Sequence, residues 1–200
     1  MTGGFIYKIL LVIVRVAMFF YHPVFRVVGR ENVPRQGRFL ICPNHRGMAD
    51  PVWVIFALRL GHIPRIMAKI EVMKVPVLGW FLRKMGVFGV NREGADITAI
   101  KTGLRCLKDD QQLMLFPEGT RVKPGQHVVP KAGAILLARR TDSPILPVYL
   151  TTRRYPFSPM TCVIGKPYHP DFGVQTPTEE QLQREANRLM DQIYEMGEKA

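Results

Sequence analysis

Two short stretches of this 200-residue chain hold residue types that move protons and grip anions. In the first, the apolar run Phe39-Leu40-Ile41-Cys42 leads into Pro43-Asn44-His45, and Asp50-Pro51 follows. A carboxylate held against one imidazole nitrogen fixes the tautomer and leaves the other nitrogen as a general base. In regular helix His45 and Asp50 would be turned well apart, since each residue rotates by about 100°. A loop containing Gly47 instead brings the ring back onto the carboxylate. Asp50 also reads as the N-cap of the next helix, with Pro51 at its first position. Taken alone, an H-x4-D spacing equally fits a capping aspartate beside an incidental histidine.

In the second stretch, Phe116-Pro117-Glu118-Gly119-Thr120-Arg121 follows an apolar run that reads as a buried strand. Loops at the carboxyl ends of strands are where α/β sheets bind ligands. Arg121 offers a planar fork suited to phosphate, and Gly119 allows close approach of backbone to a ligand. Glu118 either orients Arg121 or hydrogen-bonds substrate hydroxyls. Lys131-Ala132-Gly133 opens a helix whose N-terminus favours a phosphate. The segment from Gly86 to Arg92 (GVFGVNR) repeats the shape of a strand ending in arginine, which makes Arg92 a second phosphate contact.

A base does not by itself name the nucleophile. No serine or cysteine stands in a G-x-S-x-G elbow. Cys42 lies three residues before His45, and an extended strand carries it away. The nucleophile is therefore assigned to the substrate: a hydroxyl deprotonated by His45 that attacks a thioester with no covalent enzyme intermediate. Cys42 and His45 form a C-x2-H pair with no second pair of matching spacing, so no metal site is expected and Cys42 reads as a buried strand residue.

The elements that must carry these residues alternate. Strands are expected at FRVVG, RFLIC, PRIMAK, GVFGV, LMLF, PILPVYL and MTCVIG. Helices are expected over 51–60, 77–85, 95–108 and 131–140, with a last helix starting near Thr178, where Thr178 and Gln181 match a capping box. The apolar stripe of that last helix (Leu182, Ala186, Leu189, Ile193, Met196) reads as packing. The class is α/β, a single domain over 25–200 with a central mixed sheet flanked by helices.

Residues 1–24 form a separate helical segment. The run FIYKILLVIVRVAMFF is strongly apolar, yet Lys8 and Arg15 near its middle make spanning a bilayer costly. A helix lying in the interface tolerates them, because long cationic side chains reach the headgroups. An interfacial anchor is the first reading, ahead of a spanning helix and a buried core helix. The formal charge of +12 is uneven, with −4 over residues 171–200 and +16 over the first 170. A body so basic seeks a polyanion. With no helix-turn-helix, zinc or RNA-binding signature and no basic run, nucleic acid is the weaker candidate, and an anionic leaflet suits the acid-free first 30 residues. Three widely spaced cysteines point to a reducing compartment.

Together these segments resemble the glycerophospholipid acyltransferase family. NHRGMAD is similar to its first motif, N-H-x4-D; GVFGVNR looks like its second; FPEGTR is a full match to its third; and Ile145-Leu146-Pro147-Val148 resembles its fourth. The resemblance covers about residues 25–165. It implies that His45 is the base and Asp50 its orienting partner, that Arg92, Glu118, Gly119, Thr120 and Arg121 bind the acceptor, with Lys131 as a further candidate, and that Pro147 shapes the acyl pocket. It further implies transfer of a fatty acyl group from an acyl carrier protein or coenzyme A thioester to lysophosphatidic acid, with no metal or bound cofactor, on the cytoplasmic face of the cell membrane. Gly47 stands where the first motif commonly has serine, and Asn91 where the second commonly has aspartate. The same chemistry on another lyso-lipid or on glycerol 3-phosphate, and a catalytically silent membrane-binding protein, are the rival expectations.

Overall fold

The computed structural model describes residues 9, 12, 13, 16, 20, 22–91, 96–123, 125–151, 157–173 and 176–199. Seven strands form one mixed sheet: β1 (Phe25–Val28), β2 (Leu40–Pro43), β3 (Arg65–Lys69), β4 (Val87–Val90), β5 (Leu113–Met114), β6 (Ile145–Leu150) and β7 (Met160–Ile164). Their order is β1-β7-β6-β2-β5-β3-β4. The five strands from β6 to β4 are mutually parallel, while β7 runs antiparallel to β6 and carries β1 parallel to itself. The carboxyl ends of β2, β3, β4, β5 and β6 therefore meet along one edge of the sheet, where α/β proteins place their sites.

Strand β2 is buried on both faces, as expected of a central parallel strand. Alternate side chains divide between the two cores. Phe39 and Ile41 pack on one face with Trp53, Val54 and Leu58 of α1 (Asp50–Leu58) and Met73 of α2 (Ile70–Lys74). The other face receives Leu40 and Cys42, which pack with Leu107 of α4 (Ile97–Lys108), Ile135 and Leu137 of α5 (Gly133–Thr141) and Leu189 and Ile193 of α6 (Glu179–Glu198). Helix α3 (Pro76–Lys84) follows α2 and leads into β4. Each strand and helix expected within residues 25–200 is present within a few residues of its expected bounds. The short α2 was not anticipated, because five residues are too few to show a helical period. Thr178 and Gln181 form the anticipated capping box at the start of α6.

Asp50 corrects the capping expectation. The N-cap position belongs to Ala49, Asp50 is the first helical residue, and no side chain caps this helix. The carboxylate turns back toward the preceding loop instead.

Among residues 1–21, Ile9, Val12, Ile13, Val16 and Phe20 are described; all are helical and exposed. Their spacing puts them on one face. Just after them, His22 is buried, its Nδ1 2.8 Å from the Ser158 carbonyl and its ring edge-on to Trp53. Among the described residues, no helix is long and apolar enough to cross a membrane.

Candidate active site

Two neighbouring strands deliver the two sequence motifs to one place. Strand β2 ends at Pro43, and Asn44 prolongs its pairing with side-chain atoms: Nδ2 donates to the Leu150 carbonyl (3.0 Å) and Oδ1 accepts from the Leu150 N–H (2.7 Å). This fully buried amide anchors the point at which the chain leaves the sheet. The next residue is His45. Strand β5 pairs with β2 and leads into Phe116-Pro117-Glu118.

The imidazole Nδ1 of His45 lies 2.9 Å from Asp50 Oδ2. That same oxygen accepts from the backbone N–H groups of Arg46 (2.6 Å) and Gly47 (2.7 Å). The loop between His45 and Asp50 thus wraps one carboxylate oxygen, and Asp50 is fully buried. A carboxylate only accepts, so the ring proton sits on Nδ1 and Nε2 is left as the basic nitrogen. The ring stacks on Phe116, with centroids 4.1 Å apart and planes at 29°. The tie to the Asp50 carboxylate and the stacked face together hold the imidazole in one orientation.

Glu118 stitches the two loops. Its Oε2 accepts from the His45 N–H (2.5 Å), and its Oε1 accepts from the Tyr194 hydroxyl (2.5 Å). The Val122 N–H donates to the His45 carbonyl (2.9 Å), and Arg46 Nη1 donates to the carbonyls of Val122 (2.8 Å) and Lys123 (3.1 Å). Burial pushes the Glu118 carboxyl above the ordinary glutamate range, while the Tyr194 hydroxyl and the His45 N–H pull it back. Gly119 follows in the left-handed region at φ 67°, and a Cβ there would lie 3.3 Å from Lys131 Cγ. The Lys131 N–H in turn donates to the Pro117 carbonyl (2.7 Å), closing the loop.

A cavity of about 770 Å³ opens beside these residues. His45, Glu118, Gly119, Thr120, Arg121 and Lys131 all line it, with Lys69 as a further cation. Its other walls are apolar, among them Ile66, Met67, Val72, Leu82, Val87 and Phe116. Its size and character suit a ligand with an apolar body and a few polar groups. Arg121 and Lys131 are exposed.

The structure thus brings His45, Asp50, Glu118, Gly119, Thr120, Arg121 and Lys131 to one cavity wall or its immediate support. Arg92 lies outside the described residues. Pro147 pairs with Cys42 in the β6–β2 register, beside the strand that carries His45, and no described lining residue comes from β6. Cys42 is buried in β2, and burial pushes its thiol far above the ordinary range, which makes it a poor nucleophile. Among the described residues, no group of three His, Cys, Asp or Glu side chains is placed to hold a metal ion. Sequence reasoning missed Phe116, Arg46 and Tyr194. Phe116 and Arg46 adjoin motif residues, whereas Tyr194 is distant in sequence and carried no signal.

The chain is 29% identical to the 1-acyl-sn-glycerol-3-phosphate acyltransferase of Bacillus subtilis over 182 residues, covering 87% of this chain and 88% of that one. It is 34% identical to the protein of the same name from Borreliella burgdorferi over 130 residues, covering 62% of this chain and half of that one. Among solved structures, the 1-acyl-sn-glycerophosphate (LPA) acyltransferase of Thermotoga maritima superposes with a TM-score of 0.64 at 25% identity, over 88% of this chain and 71% of that one. The Acyltransferase family profile matches residues 24–151, the span that holds both loops of the site, and the chain belongs to that family of enzymes.

Proposed function

We propose that this enzyme transfers a fatty acyl group from a thioester to the free hydroxyl of lysophosphatidic acid, giving phosphatidic acid. The observation that carries the reading is the His45–Asp50 pair on the wall of a cavity that is apolar within and lined by Arg121 and Lys131. An acyl chain needs the apolar walls, and a phosphomonoester needs the cations. The names of the relatives support the acceptor.

In the proposed reaction, Arg121 and Lys131 hold the acceptor phosphate, and Arg92 is assigned the same role. His45 Nε2 takes the proton from the acceptor hydroxyl, and Asp50 stabilises the imidazolium that results. The alkoxide oxygen attacks the thioester carbonyl; a C–O bond forms and the C–S bond breaks. The thiolate leaves with the proton returned from Nε2, so no group on the enzyme is consumed. The donor is a thioester of acyl carrier protein or coenzyme A, both acidic partners for a body carrying +16 over its first 170 residues.

Residues 1–24 are assigned to membrane seating and 25–200 to the acyltransferase domain, at the cytoplasmic face of the cell membrane. The exposed apolar face formed by Ile9, Val12, Ile13, Val16 and Phe20 supports an interfacial helix, and the cations of this segment suit anionic headgroups. Co-sedimentation with vesicles checks this. Binding to phosphatidylglycerol vesicles that weakens on Lys8→Glu/Arg15→Glu is the expected result, and equal binding to neutral vesicles contradicts it.

The acceptor is tested by offering the purified protein lysophosphatidic acid, glycerol 3-phosphate and a neutral lyso-lipid beside both thioester donors. Phosphatidic acid as the dominant product supports the proposal. Preferred acylation of glycerol 3-phosphate or of the neutral lipid overturns the acceptor assignment.

A further inference from the structure

Tyr194 stands on α6, well beyond the residues 24–151 that match the family profile, yet it closes the hydrogen-bond network behind His45. Its hydroxyl donates to Glu118 Oε1 (2.5 Å), and the other oxygen of that carboxylate receives the His45 N–H. The same hydroxyl accepts from Arg46 Nη2 (2.8 Å), whose guanidinium carbon lies 5.4 Å over the tyrosine ring. The backbone N–H of Arg46 is one of those held by Asp50. One phenol therefore touches the two side chains that fix the backbone on either side of the imidazole. We propose that Tyr194 is a positioning residue: through Glu118 and Arg46 it holds the His45 loop in its reactive geometry, which makes the last helix part of the active site.

Packing alone does not require the hydroxyl. The apolar stripe of α6 lies on Leu182, Ala186, Leu189, Ile193 and Met196, and a phenylalanine at 194 would stand equally well edge-on to Tyr149, 6.4 Å away. A half-buried phenol that both donates and accepts is instead a specific connector. Burial and the neighbouring Glu118 push the Tyr194 phenol well above its usual range, so it remains a proton donor at every working pH. Helix α6 is seated close enough to reach because residue 197 is glycine; a Cβ there would fall 2.3 Å from the Tyr149 ring. Glu118 and Tyr194 also line a second cavity of about 600 Å³ on the α6 side, with Arg46, Asn187 and Asp191, so the connector lies between two open spaces and not in a sealed core.

The inference rests on His45 being the base, and the test keeps the two apart. Wild type, Tyr194→Phe, Glu118→Gln, the double variant and His45→Ala are assayed as full-length protein with lysophosphatidic acid and an acyl-coenzyme A or acyl carrier protein thioester. Tyr194→Phe is expected to lower kcat by about tenfold, the effect of one hydrogen bond to a charged group, with acceptor KM and thermal midpoint near wild type. Titratable groups facing Glu118 are His45 and Arg46 from the β2–α1 loop and Tyr194 from α6, with Lys69, Arg121 and Lys131 on the first shared cavity and His127, Asp191 and Glu198 on the second. Losing the phenol donor makes the Glu118 carboxylate harder to ionise, so the acid limb of the kcat profile shifts to higher pH. A merely structural tyrosine leaves that limb in place. Adding Tyr194→Phe to Glu118→Gln is expected to cost less than the product of the two single losses, since the Glu118 contact is already gone and only the Arg46 contact remains to be lost. If Tyr194→Phe keeps wild-type kcat and pH profile while His45→Ala is inactive, the inference about Tyr194 is overturned and the base assignment stands. Multiplying losses in the double variant overturn the route through Glu118. An active His45→Ala enzyme overturns both readings.

Discussion

The two sides of the cavity are built in opposite ways. On the proton-handling side, Asp50 is fully buried and takes three contacts on one oxygen, Glu118 is 4% exposed and engages both oxygens, and His45 is stacked on Phe116. On the other side Arg121 and Lys131 are exposed cations on long side chains. Proton transfer depends on fractions of an ångström, so its groups must be fixed before the substrate arrives. Charge acts over several ångströms, so a cation can gather a phosphate while its side chain still moves. The first side should therefore control kcat and the second KM.

The sharpest break of that comparison is Asp50→Asn. An asparagine oxygen can still accept from the Arg46 and Gly47 N–H groups, so the loop keeps its shape while the imidazolium loses its counter-charge. Turnover should fall by as much as about 10⁴, the scale seen when orienting carboxylates are neutralised. Steady-state kinetics beside a thermal melt checks it, and near wild-type kcat removes Asp50 from the mechanism.

Arg121→Ala should act on the other parameter, raising KM for a phosphorylated acceptor by about tenfold or more, as expected for loss of a charge-assisted contact, with kcat little changed. Added salt should mimic it in part, because the exposed cation is screened at ionic strengths where the buried pair is not. A salt titration in which kcat falls and KM holds would reverse the assignment of the two sides.

Glu118 provides a pH test of folding. Its carboxyl is raised in the folded state by burial, so between the ordinary glutamate value and the raised one the native chain binds more proton than the unfolded chain. Stability from this group is greatest in acid and declines as pH rises through that window. Wild type should therefore lose stability relative to Glu118→Gln as pH is raised from below about 4.3. Urea melts of both proteins across that range measure the difference; a gap that widens in the other direction contradicts it.

The smallest effect is expected at Gly119→Ala. The residue sits at φ 67°, and the added methyl would approach Lys131 Cγ at 3.3 Å. A cost of about 1 kcal/mol in stability follows from the backbone conformation, with kcat altered less than by Asp50→Asn. Urea melts at neutral pH read it.

Much of the site was legible in the chain because its two halves are local. His45 and Asp50 lie within one turn of a loop, and Phe116 to Arg121 are contiguous, so residue types and spacing carried the chemistry. The alternation of short apolar runs with amphipathic ones gave the elements of the sheet. What stayed hidden was set by tertiary contact. The β2–β5 pairing that brings Glu118 against the His45 N–H joins residues 73 apart, and the Tyr194–Arg46 bond joins residues 148 apart. The reversal of β7 against β6 depends on sheet order, which no local pattern encodes. Asp50 satisfies every local rule for an N-cap, yet the loop amides compete successfully for its carboxylate.

The most direct test of the His45–Asp50 pair as the proton-transfer device is single-turnover acyl transfer to lysophosphatidic acid by wild type, His45→Ala and His45→Ala/Asp50→Asn. The first substitution should remove nearly all product formation while acceptor binding persists, and the second should then remove nothing more, because Asp50 acts only through the imidazole. Product formed by His45→Ala at a rate close to wild type would contradict the account.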